Sequence, residues 1–146
     1  MIPQMNTLIA SYSQETMSET IQILGLPVHD ITMKTALTKI DGFIRDFNYD
    51  DLPRHIITAD ASMLVMAQED RVLNEIIQNS ALTTPDSIGV LWAAKQQGRV
   101  LQERVSGVEI VERLCALSPE RGYRIYFLGA AQIGRASCRE RVSPRV

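Results

Sequence analysis

The feature that most constrains this chain is a recurring unit. A short apolar stretch stops at a small, polar or proline residue, and helical periodicity follows. Ile21-Gln-Ile-Leu-Gly-Leu-Pro-Val28 opens the series as a short strand broken by Gly25 and Pro27. Met33, Leu37, Ile40, Phe43, Ile44 and Phe47 then recur close to the i, i+3, i+4, i+7 spacing of an amphipathic helix. Arg54-His-Ile-Ile-Thr-Ala59 predicts a second, more buried strand. Met63, Met66, Ala67, Leu73, Ile76 and Ile77 predict one broken helix or two short ones, hinged near Asp70. Ala81-Leu-Thr-Thr84 predicts a third strand stopped by Pro85, and Ile88 to Gln97 a helix closed by Gly98 at C′. A loop from Arg99 to Gly107 leads to a helix that turns Val108, Val111, Leu114, Cys115 and Leu117 inward, with Gly122 past its end. Arg124-Ile-Tyr-Phe-Leu128 predicts a further strand, followed by Gly129-Ala-Ala131. Strands alternating with helices imply βα units: an α/β fold, Rossmann-like, with a largely parallel sheet and flanking helices.

The two ends stand apart from this series. Residues 1–18 are polar and aperiodic, and are expected to form a loose, disordered extension; 19–131 carry the βα pattern, and the 146-residue length leaves room for one domain. Residues 132–146 hold four arginines and one glutamate, a local charge of +3, against 11 basic and 16 acidic residues elsewhere. After a strand ending in Gly-Ala-Ala an amphipathic helix is expected, yet Arg135-Ala-Ser-Cys-Arg-Glu-Arg-Val142 has no apolar stripe. From Gly134 to Val142 the sequence resembles read-through of adaptor or vector DNA, the alternative being a native basic tail.

Charge and composition exclude several classes. A net charge of -2 gives no electrostatic reason for nucleic acid as the main partner. A membrane surface stays open, because a basic patch can sit on a nearly neutral chain. Two cysteines, Cys115 and Cys138, are too few for a disulfide scaffold. No apolar run approaches the ~18 residues needed to cross a bilayer. With no signal peptide at the N-terminus, the cytoplasm is the expected compartment.

Two histidines far apart and two cysteines offer no metal-ligand cluster, and there is no P-loop. Candidate chemistry is sought at strand ends, because ligands of open α/β sheets bind at the carboxyl ends of the strands. Thr58-Ala-Asp60 places a hydroxyl and a carboxylate there, able to hold a sugar or ribose hydroxyl; helix capping by Asp60 is the ordinary alternative. In Thr84-Pro-Asp-Ser-Ile-Gly89, Asp86 follows a proline at a strand end and opens the next helix. It can serve as a general base on a sugar hydroxyl, or as an N-cap. In Glu103-Arg-Val-Ser-Gly107, Arg104 offers the planar fork that suits a diphosphate, or forms a solvated ion pair. Gly129 can bring backbone amides near a phosphate, a weak signal alone.

Order and spacing say more than any one motif. Ile-Leu-Gly-Leu-Pro-Val, then Ile-Thr-Ala-Asp-Ala with Gln68 eight residues past Asp60, then Thr-Pro-Asp-Ser-Ile-Gly-Val, Glu-Arg-Val-Ser-Gly and Tyr-Phe-Leu-Gly-Ala-Ala together resemble the WecG/TagA/CpsF glycosyltransferases over residues 21–131. The resemblance implies an inverting, metal-independent hexosyltransferase with no cofactor. It would move N-acetylmannosamine or a related sugar from a UDP donor to N-acetylglucosamine on undecaprenyl diphosphate, for teichoic acid, enterobacterial common antigen or capsule-like polymers. It also implies peripheral contact with the cytoplasmic face of the membrane.

The family's catalytic-base aspartate falls on Asp86, its strand-end threonine and asparagine on Thr58 and Asp60, and its phosphate-engaging arginine on Arg104. Three positions depart from the pattern. Asp60 replaces the asparagine and removes an amide donor, Ser87 stands where glycine is common, and Gln102 where proline is common. The family domain also runs further, through more βα units, a later active-site glutamine and a basic appendage. The fold is accordingly expected to be incomplete at its C-terminus. Unpaired strand edges and exposed apolar faces would then leave the chain as written poorly stable and inactive. The alternative is a non-catalytic nucleotide-sugar or protein-binding fragment. A dinucleotide-dependent oxidoreductase is disfavoured, because no G-x-G-x-x-G follows the first strand.

Overall fold

The computed structural model describes residues 20–48 and 51–128. Residues up to Gly107 form one compact unit and those from Val108 onward a second. The first unit holds β1 (Thr20–Ile23), β2 (Leu26–His29), α1 (Met33–Arg45), β3 (Ile56–Ala59), α2 (Ala61–Met66), α3 (Arg71–Gln78), β4 (Leu82–Pro85) and α4 (Ile88–Gln96). A last helix, α5 (Gly107–Arg121), starts at the boundary. The fold is mixed α/β, and among the described residues none of its helices is long and apolar enough to cross a membrane.

The strands form two pairs rather than one largely parallel sheet. β3 and β4 are parallel, in register from Ile56↔Leu82 to Ala59↔Pro85. β1 and β2 are antiparallel, so Ile21 to Val28 is a hairpin and not a single broken strand. Its two-residue loop holds Leu24 at φ 53° and Gly25 at φ 76°. Positive φ at both central residues twists a hairpin with the right hand, and Gly25 takes that conformation without steric penalty. Sequence reading missed the turn because leucine disfavours its first position. Alternation does the rest: Ile21, Ile23, Leu26 and Val28 are buried, while Gln22 and Pro27 pair on the other face.

The core of this unit joins those four side chains to Ala59, Leu64, Ala67, Ile77, Val90, Ala94 and Leu101. β4 is buried along its whole length, whereas β3, expected to be more buried than the opening strand, is covered only in part before Ala59. The stripe of α1 buries Met33, Ala36 and Ile40 but leaves Ile44 and Phe47 half exposed toward its C-terminus.

The helix ends follow local chemistry. Asp70 is the hinge expected between two short helices, accepting from the Val72 and Leu73 amides at 2.9 and 3.0 Å. α4 ends in a Schellman arrangement: Gly98, at φ 72°, donates to Lys95 O, and Arg99 donates to Ala94 O, each at 3.0 Å.

In the second unit, α5 buries Ile110 and Ser118 and leaves Val108 and Val111 exposed, against the expectation that both turn inward. Pro119 lacks the N–H that would bond Cys115 O, and the Ser118 hydroxyl donates to that carbonyl at 3.0 Å instead. Arg124 to Leu128 form no strand among the described residues, and Tyr126 and Leu128 are exposed. Apolar alternation supplies a strand only where a partner strand takes its amides. Gly129, residues 1–18 and the tail at 132–146 lie outside the described residues.

Candidate active site

Parallel pairing in register brings β3 and β4 to an end at the same height, so Asp60 and Asp86 emerge side by side, one residue past the Ala59↔Pro85 pair. The Asp86 amide extends the ladder by donating to Ala59 O at 2.9 Å. Helices α2 and α4 start from these two points. Between them opens a pocket of about 690 Å³ lined by Asp60, Ala61, Ser62, Asp86, Ser87, Ile88, Gly89 and Arg104. That size suits a small polar ligand.

The two carboxylates behave differently. Asp60 is the N-cap of α2: its Oδ1 accepts from the Ser62 hydroxyl at 2.6 Å and the Met63 amide at 2.8 Å. These bonds, the Ser62 hydroxyl first, hold its carboxyl below the usual carboxylate range. Capping therefore accounts for Asp60. For Asp86 the capping alternative fails, because the N-cap of α4 is Ser87, whose Oγ accepts from the Val90 amide at 3.4 Å. Ser87 Oγ also accepts from the Ala61 amide at 3.2 Å and so ties the start of α2 to that of α4. A Cβ on Gly89 would stand 2.9 Å from Ala61 Cβ, so glycine is what lets those helix ends approach.

Relieved of capping, the Asp86 side chain turns across the pocket mouth. Its Oδ2 accepts from the Gly107 amide at 3.1 Å, and Arg104 Nη1 lies 3.5 Å from Oδ1 and 3.1 Å from the Asp86 carbonyl oxygen. Arg104 arrives there because its loop is bolted to β4. Val105 N donates to Pro85 O at 2.8 Å, and the buried Thr84 hydroxyl donates to Val105 O at 3.1 Å. Glu103 Oε2 takes the Met33 amide at 2.9 Å, at the start of α1, and Arg104 forms a partly exposed ion pair with Asp86. Gln102 N reaches Asp30 Oδ1 at 2.8 Å, which fixes the loop at a further point.

Of the residues picked from the sequence, Asp60, Asp86 and Arg104 share one pocket. Thr58 does not line it. Its side chain lies beneath Gly107, where an added Cβ would come within 2.9 Å of Cγ2 and Oγ1. Gly129 falls outside the described residues. Thr84, Ser87 and Gly107 position the site and were not picked as site residues. A hydroxyl in a strand buried throughout was the available signal for Thr84, since such a group needs a partner. Nothing local marked the Gly107 amide.

A sequence model of the glycosyl transferase WecG/TagA/CpsF family matches residues 21–146, a stretch that includes the tail set apart above. An N-acetylglucosaminyldiphosphoundecaprenol N-acetyl-beta-D-mannosaminyltransferase of Bacillus spizizenii (strain W23) is 29% identical over 87 residues, 60% of this chain and 34% of that protein. A protein of the same name from Staphylococcus aureus (strain MRSA252) is 23% identical over 118 residues, 80% of this chain and 46% of its own length. The chain thus spans less than half the length of these curated relatives. The matched stretch covers most of the chain, including the described strands from Ile21 onward and the pocket built on the two parallel ones, and the chain belongs to the WecG/TagA/CpsF family of glycosyl transferases.

Proposed function

We propose that these residues serve a protein that transfers N-acetylmannosamine, or a related sugar, from a UDP donor to N-acetylglucosamine carried on undecaprenyl diphosphate. The proposal is for a protein of the relatives' length, in which β3 and β4 are part of a larger, Rossmann-like parallel sheet. The work would be done at the cytoplasmic membrane face, for a cell-surface polysaccharide or teichoic acid. The observation that carries the reading is the meeting of Asp86 and Arg104 in one pocket at the carboxyl ends of parallel strands. The names of the relatives supply the acceptor and the sugar.

In this mechanism the Asp86 carboxylate takes the proton of the acceptor hydroxyl. The hydroxyl oxygen attacks the anomeric carbon from the face opposite the diphosphate, inverting it. The breaking bond leaves its electron pair on the UDP oxygen, where Arg104 offers a guanidinium already in place. Asp60 contributes at the sugar side, Thr58 from beneath Gly107 by supporting the site, and Gly129 near the phosphates. Asp60 does so as a capped, ionised acceptor rather than the amide donor that asparagine would be.

Transfer is to be measured in a protein extended to the relatives' length, with UDP-N-acetylmannosamine and a lipid-diphosphate N-acetylglucosamine acceptor. Asp86→Asn should abolish turnover without loss of donor binding. Unchanged turnover would remove Asp86 from the base role. UDP binding without transfer by the parent protein would favour a non-catalytic binding module.

A further inference from the structure

The Asp86 carboxylate is engaged on both oxygens. Oδ2 accepts the Gly107 amide at 3.1 Å, and Gly107 sits so close over Thr58 that a Cβ there would come within 2.9 Å of it. Oδ1 is then the oxygen left to receive a proton, and Arg104 Nη1 stands 3.5 Å from it. A base must come within roughly 2.6–3.2 Å of the hydroxyl it deprotonates. An arginine lying over the same lone pair obstructs that approach. The obstruction is loose, because 3.5 Å is the outer edge of a hydrogen bond, whereas Nη1 holds the Asp86 carbonyl at 3.1 Å. A rotation about the carbonyl contact can therefore uncover Oδ1 without releasing the side chain. A diphosphate supplies the force for it, since paired charge-assisted bonds to a guanidinium outweigh one long, half-exposed ion pair.

We infer that Asp86 and the donor's diphosphate compete for Arg104, so that donor binding is the event that frees Asp86 Oδ1 to act as base. This deepens the glycosyl-transfer reading and rests on it. The order of events follows. The donor binds first and draws Arg104 onto its phosphates. The acceptor hydroxyl then reaches Oδ1, its proton passes to that oxygen as the new glycosidic bond forms, and the old bond's electrons leave on the UDP phosphate that Arg104 now faces. Without donor the base is covered, and an acceptor alone is not activated.

Competition makes a reciprocal prediction about binding. UDP affinity is to be measured by calorimetry for the protein extended to the relatives' length, and for its Asp86→Asn, Arg104→Gln and double variants. Asn at position 86 keeps a carbonyl for the Gly107 amide but removes the side-chain charge that competes for the guanidinium. Asp86→Asn should tighten UDP binding by about fivefold or more when Arg104 is present. With glutamine at 104 the gain should fall below about twofold, the residue of through-space repulsion. An equal gain in both backgrounds, or none in either, overturns the competition while leaving the donor site standing. Failure of all four proteins to bind UDP removes the glycosyl-donor reading and the competition with it. A measurement on the unaltered chain guards against misfolded variants. On titration with UDP, the Arg104 guanidinium NMR signals should shift with the binding isotherm while the Gly107 amide stays in place. Arg104 signals unmoved at saturation would overturn the proposal.

Discussion

The two ends of β3 are built differently. At its carboxyl end, Asp60, Ser87, Thr84, Gly107 and Arg104 are tied by side-chain bonds to backbone groups, several of them on other elements. At its amino end, Ile56 lines a shallow groove of about 290 Å³ with Ile40, Phe43, Ile44, Phe47 and Arg54. Arg54 lies over the Phe43 ring there, 5.1 Å from its centroid. Directional bonds fix one end in a single geometry. Apolar contact and a cation over a ring only fill space at the other. Preorganisation of the kind a reacting site needs is therefore present at one end of the strand and absent from the other.

The largest test of that contrast is a pair of truncations. Leu64→Ala in α2, at a side chain 1% exposed, should cost about 2–5 kcal/mol of unfolding free energy in urea. Ile44→Ala in the groove, 45% exposed, should cost less than about 1 kcal/mol. Similar losses would mean that the groove is as firmly packed as the core.

Gly107→Ala comes next, at about 1–3 kcal/mol, through the clash with the stiff, β-branched Thr58. The sign is diagnostic, because alanine for glycine in a helix otherwise stabilises. Adding Thr58→Ala should recover much of the loss; no recovery would show that Thr58 is not what makes that position tight.

Midway along the sheet, where Thr83 pairs with Ile57, His29 Nδ1 accepts the Thr83 amide at 3.1 Å and lies 3.3 Å from the Thr83 carbonyl. Burial pushes the pKa of His29 below its ordinary 6.5, and Lys39 adds to this, while the carbonyl contact opposes it. The shorter amide bond needs an unprotonated Nδ1 and acts with the burial. The unfolded chain then takes up the proton first as pH falls. The His29 contribution is complete above pH 6.5 and is lost on acidification through the lower folded-state pKa, with a slope under about 1.4 kcal/mol per pH unit. His29→Gln should flatten the urea-midpoint profile between pH 7 and 5; a slope that persists unchanged would assign it to other groups.

The smallest effect belongs to the groove. Arg54→Ala should cost about 0.5–1 kcal/mol by removing the cation over Phe43, and a loss above 2 kcal/mol would place that end of β3 among the fixed parts of the fold.

Much of this was legible in one dimension. Period and punctuation gave α1, the two helices hinged at Asp70, α4 with its Gly98 stop, and strands ending at Ala59 and beside Pro85. Those signals are local: a cap bonds an amide two or three residues away, and a helical stripe repeats within one turn. The motifs at the ends of β3 and β4 named Asp60 and Asp86 for the same reason, since an α/β strand end is recognisable from its neighbours, and Arg104 was named from its loop. Apolar alternation at Ile21–Val28 and Arg124–Leu128 did not say whether the residues pair, or with what. The hairpin depended on the φ of Leu24, and Arg124–Leu128 has no partner strand among the described residues.

The division of labour within the site was also out of reach of the sequence. Asp60 and Asp86 each stand between a strand and a helix, and each had a claim to be a cap, the stronger one resting with Asp60. Serine at 87 took the capping for one and left the carboxylate of Asp86 to cross to Gly107, 21 residues on. By itself the sequence determined which groups with useful chemistry lie at the strand ends, because that depends on spacing within a few residues. Only the tertiary structure decided which oxygen meets which donor, because hydrogen bonds act over about 3 Å and the partners that complete this site are far apart in the chain.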